Sequence, residues 1–121
     1  MLDKLKAKVD FALLQIEKIE IVINNHKNIT NALNNIEGEA AILMFLMQLG
    51  ETLNKILKIN SELTVKFIEA DDIKGAYAVR NFIAHDYEGV DLAFIENILR
   101  FKLSQLKQSL KQYQIFLKDE L

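Results

Sequence analysis

Residues 2–25 read LDKLKAKVDFALLQIEKIEIVINN, and the spacing of their apolar side chains decides the fold class. Leu2, Leu5, Val9, Ala12, Ile16, Ile19 and Ile23 recur in alternating steps of three and four. Such steps line one face of an α-helix, whereas a half-buried strand needs alternation at every second residue. The spacing therefore predicts a first helix over residues 2–25, broken by Asn24-Asn25-His26-Lys27-Asn28. Thr30 is a candidate cap for the next helix, and Gly38 a candidate break between that short helix and a longer one.

The same pattern extends along the chain. A second long helix reaches Ile59 with Leu43, Leu46, Leu53, Ile56 and Leu57, and its centre is apolar all round, which predicts burial on more than one side. Asn60-Ser61 marks a turn, and Ser61 to Ala70 has room for one short helix. Asp71-Asp72 puts negative charge where a third helix should begin, as its dipole favours. Gly89 is the expected stop signal. Asp91 should cap a fourth helix carrying Leu92, Ile95, Leu99, Leu103, Leu106, Leu110, Tyr113 and Leu117 on one stripe. Four amphipathic helices with short connections predict an all-α, antiparallel four-helix bundle with one or two extra short helices, in a single domain over residues 1–121.

Composition narrows the class further. The 121 residues hold no proline and only four glycines, too little punctuation for an all-β fold. With no cysteine there is no disulfide framework and no thiolate chemistry, which fits a cytoplasmic protein. The first residues lack the apolar core of a secretory signal, and the longest apolar run, Ala40 to Met47, falls far short of the roughly 20 residues of a membrane span. No membrane association is expected. A formal charge of −2 argues against gripping long nucleic acid by electrostatics alone, so any RNA site should be local.

The chemistry gathers in Arg80-Asn81-Phe82-Ile83-Ala84-His85-Asp86-Tyr87. Thirteen of the fifteen basic residues are lysines, and one of the two arginines and one of the two histidines fall within this segment. On a helix, Ile73, Ala76, Tyr77, Ile83 and Ala84 form an apolar arc with Arg80 at its centre. A guanidinium buried there needs an anionic partner or ligand. Glu51 on the second helix is the candidate partner. Five residues turn a helix by about 500°, so His85 points well away from Arg80. The two converge on one ligand only if the helix ends or distorts near His85, or if a second subunit joins them.

Arg80-Asn81-x-x-x-His85-x-Tyr87 resembles the signature of HEPN domains in the toxin branch paired with minimal nucleotidyltransferases. The continuation Tyr87-Glu88-Gly89-Val90-Asp91 is similar to the family's aromatic–x–Gly–Val–Asp run, and Gly50-Glu51 resembles a Gly-Glu pair of the same branch. A Pro-Trp pair often found before the third helix is replaced by Phe67-Ile68-Glu69, and the flanks of the motif are acidic. The resemblance implies a small helical ribonuclease, a homodimer with a composite site, and a cognate nucleotidyltransferase antitoxin. It implies Arg80 and His85 as catalytic residues, Asn81 and Glu51 in support, and Tyr87 as the site of AMP addition. No cofactor is expected.

The residue types suit that chemistry. Histidine moves protons near neutral pH as acid or base, and arginine forks two hydrogen bonds onto phosphate. One chain carries one motif histidine, which a twofold dimer would double. The rival readings are a non-catalytic partner that presents nucleotide or substrate to a nucleotidyltransferase, and a purely structural dimerising bundle. Tyr77 reads as an aromatic closing the bundle end, and His26 as a solvated loop residue. Arg100, Lys102, Lys107 and Lys111 read as a solvated face, and Asp71-Asp72 as helix-start charge and not as a metal site.

Overall fold

The computed structural model describes residues 2–120. Among these, seven helices and no strand are found: α1 (Leu2–Asn25), α2 (Ile29–Asn34), α3 (Ile36–Ile59), α4 (Ser61–Thr64), α5 (Ala70–His85), α6 (Leu92–Phe101) and α7 (Leu103–Glu120). The heptad seam buries as its spacing requires: Leu5, Val9, Ala12, Ile16 and Ile19 are core residues. The helices stack in the order α5, α3, α1, α7, so α3 is sandwiched between two neighbours. Burial on more than one side of α3 is the result, with Ile42, Leu43, Leu46, Leu49, Leu53 and Ile56 all in the core. By length and hydropathy α3 could cross a bilayer. Here its apolar surface is spent on helix packing, where each fully buried Leu or Ile contributes about 1.5–3 kcal/mol.

Three asparagines set the joints of the first half. Asn28, not Thr30, caps α2, its Oδ1 accepting the Asn31 N–H at 2.7 Å. Asn35, not Gly38, separates α2 from α3, and its Oδ1 accepts the Gly38 N–H at 2.9 Å. Gly38 lies inside the first turn of α3, buried against the backbone of Ala32. Asn60 caps α4 in the same way. Asparagine satisfies an orphan donor at a helix start, which glycine cannot do. His26 is half-buried and its ring bonds the Val22 carbonyl at the end of α1, so it closes that helix and is not a free loop residue.

The fourth predicted helix is two helices joined at Lys102. The hydrogen bonds run on through the joint, from Lys102 N–H to the Ile98 carbonyl and from Leu106 N–H to the Lys102 carbonyl. Lys102 departs from helical geometry, with φ −116°, and the two helices on either side of it pack on different partners, α6 on α2 and α7 on α1. Two polar bridges fix the antiparallel register of α7 on α1: Gln114 to Asp10 at 2.8 Å and Lys107 to Glu20 at 2.7 Å. Arg100 reaches Glu96 and the Thr30 hydroxyl. Of the expected solvated face, only Lys102 and Lys111 stand clear of these bridges.

Tyr113 anchors the other end of the bundle. It is fully buried, stacks on Phe67 at 4.7 Å, and shares a 2.9 Å hydrogen bond with the Thr64 hydroxyl. Burial pushes its phenol above the ordinary value of 10.0, and the Thr64 bond opposes that only in part. Above pH 10 the unfolded chain loses this proton first, so folding stability holds below that pH and falls as pH rises past it. Tyr113→Phe should flatten this alkaline loss in urea titrations between neutral and strongly alkaline pH, while lowering stability at neutral pH by about 1 kcal/mol for the lost hydrogen bond.

Candidate active site around Arg80

Gly50 determines where α5 meets α3. A Cβ built there would lie 2.5 Å from the Ala76 carbonyl oxygen and 2.8 Å from the Arg80 Cβ. Only glycine lets the two backbones approach so closely. The next residue, Glu51, is thereby set beside Arg80, with Oε2 3.1 Å from the arginine Nε. The contact is an ion pair without hydrogen-bond alignment, because buried Oε2 accepts no hydrogen bond. Both side chains remain about one-third exposed, at 32% and 35%. Arg80 is therefore half-buried, not enclosed: the apolar arc is interrupted, since Ala84 is exposed and Ala76 and Tyr77 only half-buried.

A second contact steers the guanidinium. Arg80 Nη1 donates to Asn81 Oδ1 at 2.9 Å. Asn81 and His85 are four residues apart, so they share a face of α5. The bond ties the arginine head to its neighbour on α5. Tyr77, three residues before Arg80, lies under the guanidinium with its ring centre 5.8 Å from Cζ, within cation–π range. Tyr77 is thus part of the arginine's seat and does not merely close the bundle end. The i,i+3 spacing of Tyr77 and Arg80 was the signal for it.

α5 stays regular to its last residue. The Asp86 N–H still bonds the Phe82 carbonyl at 3.1 Å, so the helix does not distort at His85. Gly89 is not the stop. The helix ends at Asp86, whose Oδ1 and carbonyl both accept the Gly89 N–H at 3.1 Å. A Cβ at Gly89 would meet only the carboxylate of exposed Asp86, a side-chain end that can move aside, so the turn does not require glycine there. Within one chain, then, Arg80 and His85 keep their separate directions, and His85 is exposed at the helix end. Tyr87, 47% exposed, sits in the turn just after it. Asp91 caps α6 as expected, its Oδ1 accepting the Ala93 N–H.

The chain brings Arg80, Glu51, Asn81 and Tyr77 together and leaves His85 and Tyr87 exposed at the end of α5 and in the turn after it. An apolar groove of about 410 Å³ lies on the other side of α5, lined by Leu46, Leu49, Val79, Phe94, Ile98 and Leu106. It faces away from Asn81 and His85. No group of three or more acidic or histidine side chains suited to a metal is found among the described residues.

Neither the curated proteins nor the solved structures hold a match to this sequence. A family model described as ribonuclease HepT-like matches residues 12–113, which takes in α3, α5 and every residue of the Arg80 site. With its Gly-Glu step on α3 seating an arginine of α5, and that family model covering most of its length, the chain belongs to the HepT-like ribonuclease family.

Proposed function

We propose that the chain is the toxin of a HEPN/minimal-nucleotidyltransferase pair, a metal-independent endoribonuclease of which Tyr87 is the off switch. The observation that carries this reading is the guanidinium of Arg80, held by Glu51 and Asn81 and still one-third open to solvent. Its guanidinium keeps donors free for a phosphate. In the reaction a histidine takes the proton from a ribose 2′-hydroxyl, and the 2′-oxygen attacks the adjacent phosphorus. The bond to the 5′-oxygen breaks, a second acid protonates that leaving oxygen, and a 2′,3′-cyclic phosphate remains. Arg80 neutralises the charge that builds on the non-bridging oxygens.

Base and acid are two groups, and one chain carries one His85. A twofold homodimer with the α5 helices facing would supply both. Uncovered apolar side chains around the site support such an interface: Met44 is 52% exposed on the face of α3 that carries Glu51, and Phe82 is 68% exposed next to His85 on α5. Light scattering should give about twice the chain mass. A strict monomer at high micromolar concentration would leave the acid unaccounted for and favour the non-catalytic reading.

The purified protein should cut RNA in excess chelator and leave 2′,3′-cyclic or 3′-phosphate ends. Activity that vanishes with chelator and returns with magnesium would sink the mechanism. Control by the partner rests on the position of Tyr87. AMP joined to its exposed phenol would bring a phosphate to Arg80 and a nucleoside across His85, removing both charge and access. Co-expression with the cognate nucleotidyltransferase should add AMP mass to the Tyr87 peptide. Tyr87→Phe should stay unmodified and toxic; if it is silenced as well as wild type, inhibition acts by complex formation instead.

A further inference from the structure

The net charge of −2 hides a concentrated positive surface. Lys4 and Lys8 on α1 and Lys55 and Lys58 on α3 line one cleft of about 600 Å³, floored by Ile59. None of the four takes part in an ion pair among the described residues. The nearby Lys6–Asp10 pair sits on the other side of α1. Like charges gathered in this way repel, and Lys4, in the first turn of α1, also opposes the positive end of that helix's dipole. Packing does not require the arrangement, since Lys4, Lys55 and Lys58 are exposed. An anion bound in the cleft would relieve both costs.

Two features say which anion. Lys55 and Lys58 lie four and seven residues after Glu51, on the same face of α3, about 6 and about 10.5 Å along the helix axis. The α3 side of the cleft therefore begins about one helical turn from the Arg80 seat. Phe11, 40% exposed, shares a face of α1 with Lys4 and Lys8, at seven and three residues' spacing. An exposed aromatic beside a lysine track suits a base stacked next to its backbone. Resting on the nuclease reading above, we propose that this cleft binds the phosphodiester backbone of single-stranded RNA next to the segment being cut. It is an anchoring site that supplies affinity and leaves bond breaking to Arg80 and His85.

The test is binding of a fluorescent single-stranded RNA, 2′-O-methylated so that it cannot be cut, by the intact protein over a range of salt. Replacing all four with glutamine (Lys4→Gln, Lys8→Gln, Lys55→Gln, Lys58→Gln) should lower the slope of log K against log salt by about three, from about 0.7 per lost phosphate contact. Affinity at low salt should fall about tenfold or more. Single Lys4→Gln and Lys58→Gln proteins should each lose about 0.7 of slope, which keeps the test open if the quadruple variant folds poorly. Lys111→Gln with Lys118→Gln, exposed on α7, should change nothing. An unchanged slope in the folded quadruple variant overturns the proposal. So does loss of binding to the nucleotidyltransferase with RNA binding intact, which would make the cleft a protein interface. If wild type cuts RNA but the slope does not respond, the cleft is refuted and the nuclease reading stands. If the slope responds but nothing is cut, the reverse holds.

Discussion

His85→Ala should lower the rate of RNA cleavage by about 10²- to 10⁴-fold, the usual contribution of a positioned acid or base, with little change in stability. His85 is exposed and ends α5, so its removal opens no cavity and costs only the helix-end charge interaction, well under about 1 kcal/mol. Arg80→Ala should cost about 10²- to 10³-fold, as loss of a transition-state donor does elsewhere. The Arg80 change should also free Glu51, whose buried Oε2 then lacks even its ion pair. Arg80→Lys is the informative companion. It restores charge but not the fork, so it should recover only part of the rate. The double variant should be little slower than the worse single one, because the two residues act as a unit. Rates on a fluorogenic RNA, with melting curves alongside, decide the matter. A fully active His85→Ala protein would remove the histidine from the chemistry and leave the binding-module reading.

Gly50 and Gly75 should respond in opposite directions to the same substitution. Both lie in helices, where glycine costs about 0.5–1 kcal/mol relative to alanine. At Gly75 an added methyl meets nothing within 4 Å, so Gly75→Ala should stabilise the protein by about that amount. At Gly50 the methyl would meet the Ala76 carbonyl at 2.5 Å, and a backbone atom cannot swing aside. Helices α3 and α5 must then part. Overpacking of that kind costs about 1–3 kcal/mol, which exceeds the propensity gain. Gly50→Val adds two further methyl groups and should be worse. As α5 lifts, Arg80 leaves Glu51, so cleavage should fall with stability. Urea unfolding of the three proteins gives the signs directly. Equal stabilisation at both positions would mean that the helix crossing is not set by Gly50.

Much of this protein can be read from pattern alone. Apolar side chains in steps of three and four can be buried together only on a helix, so α1 and the existence of α3 and α5 are set by local spacing. The segment Arg80 to Tyr87 marks itself by residue type, since its arginine and histidine are scarce here and chemically apt. The start of α6 was equally legible, because an aspartate cap acts within a few residues of itself. Local signals also compete, however, and there the spacing misled: asparagines beat Thr30 and Gly38 for the joints of α2, and Asp86 stopped α5 before Gly89.

Contacts that cross from one helix to another had to wait for packing. The role of Gly50 depends on the carbonyl that faces it, twenty-six residues away at Ala76. The half-open state of Arg80 depends on Glu51, on Asn81 and on Tyr77 together, and the apolar arc by itself predicted a buried charge. The break at Lys102 falls where the partner changes from α2 to α1. The lysine cleft is invisible along the chain, where Lys4 and Lys58 lie at opposite ends of a long stretch of near-neutral sequence. Periodicity is a property of one helix. Charge density, burial and close approach are properties of the surface that several helices make, and only the tertiary structure sums them.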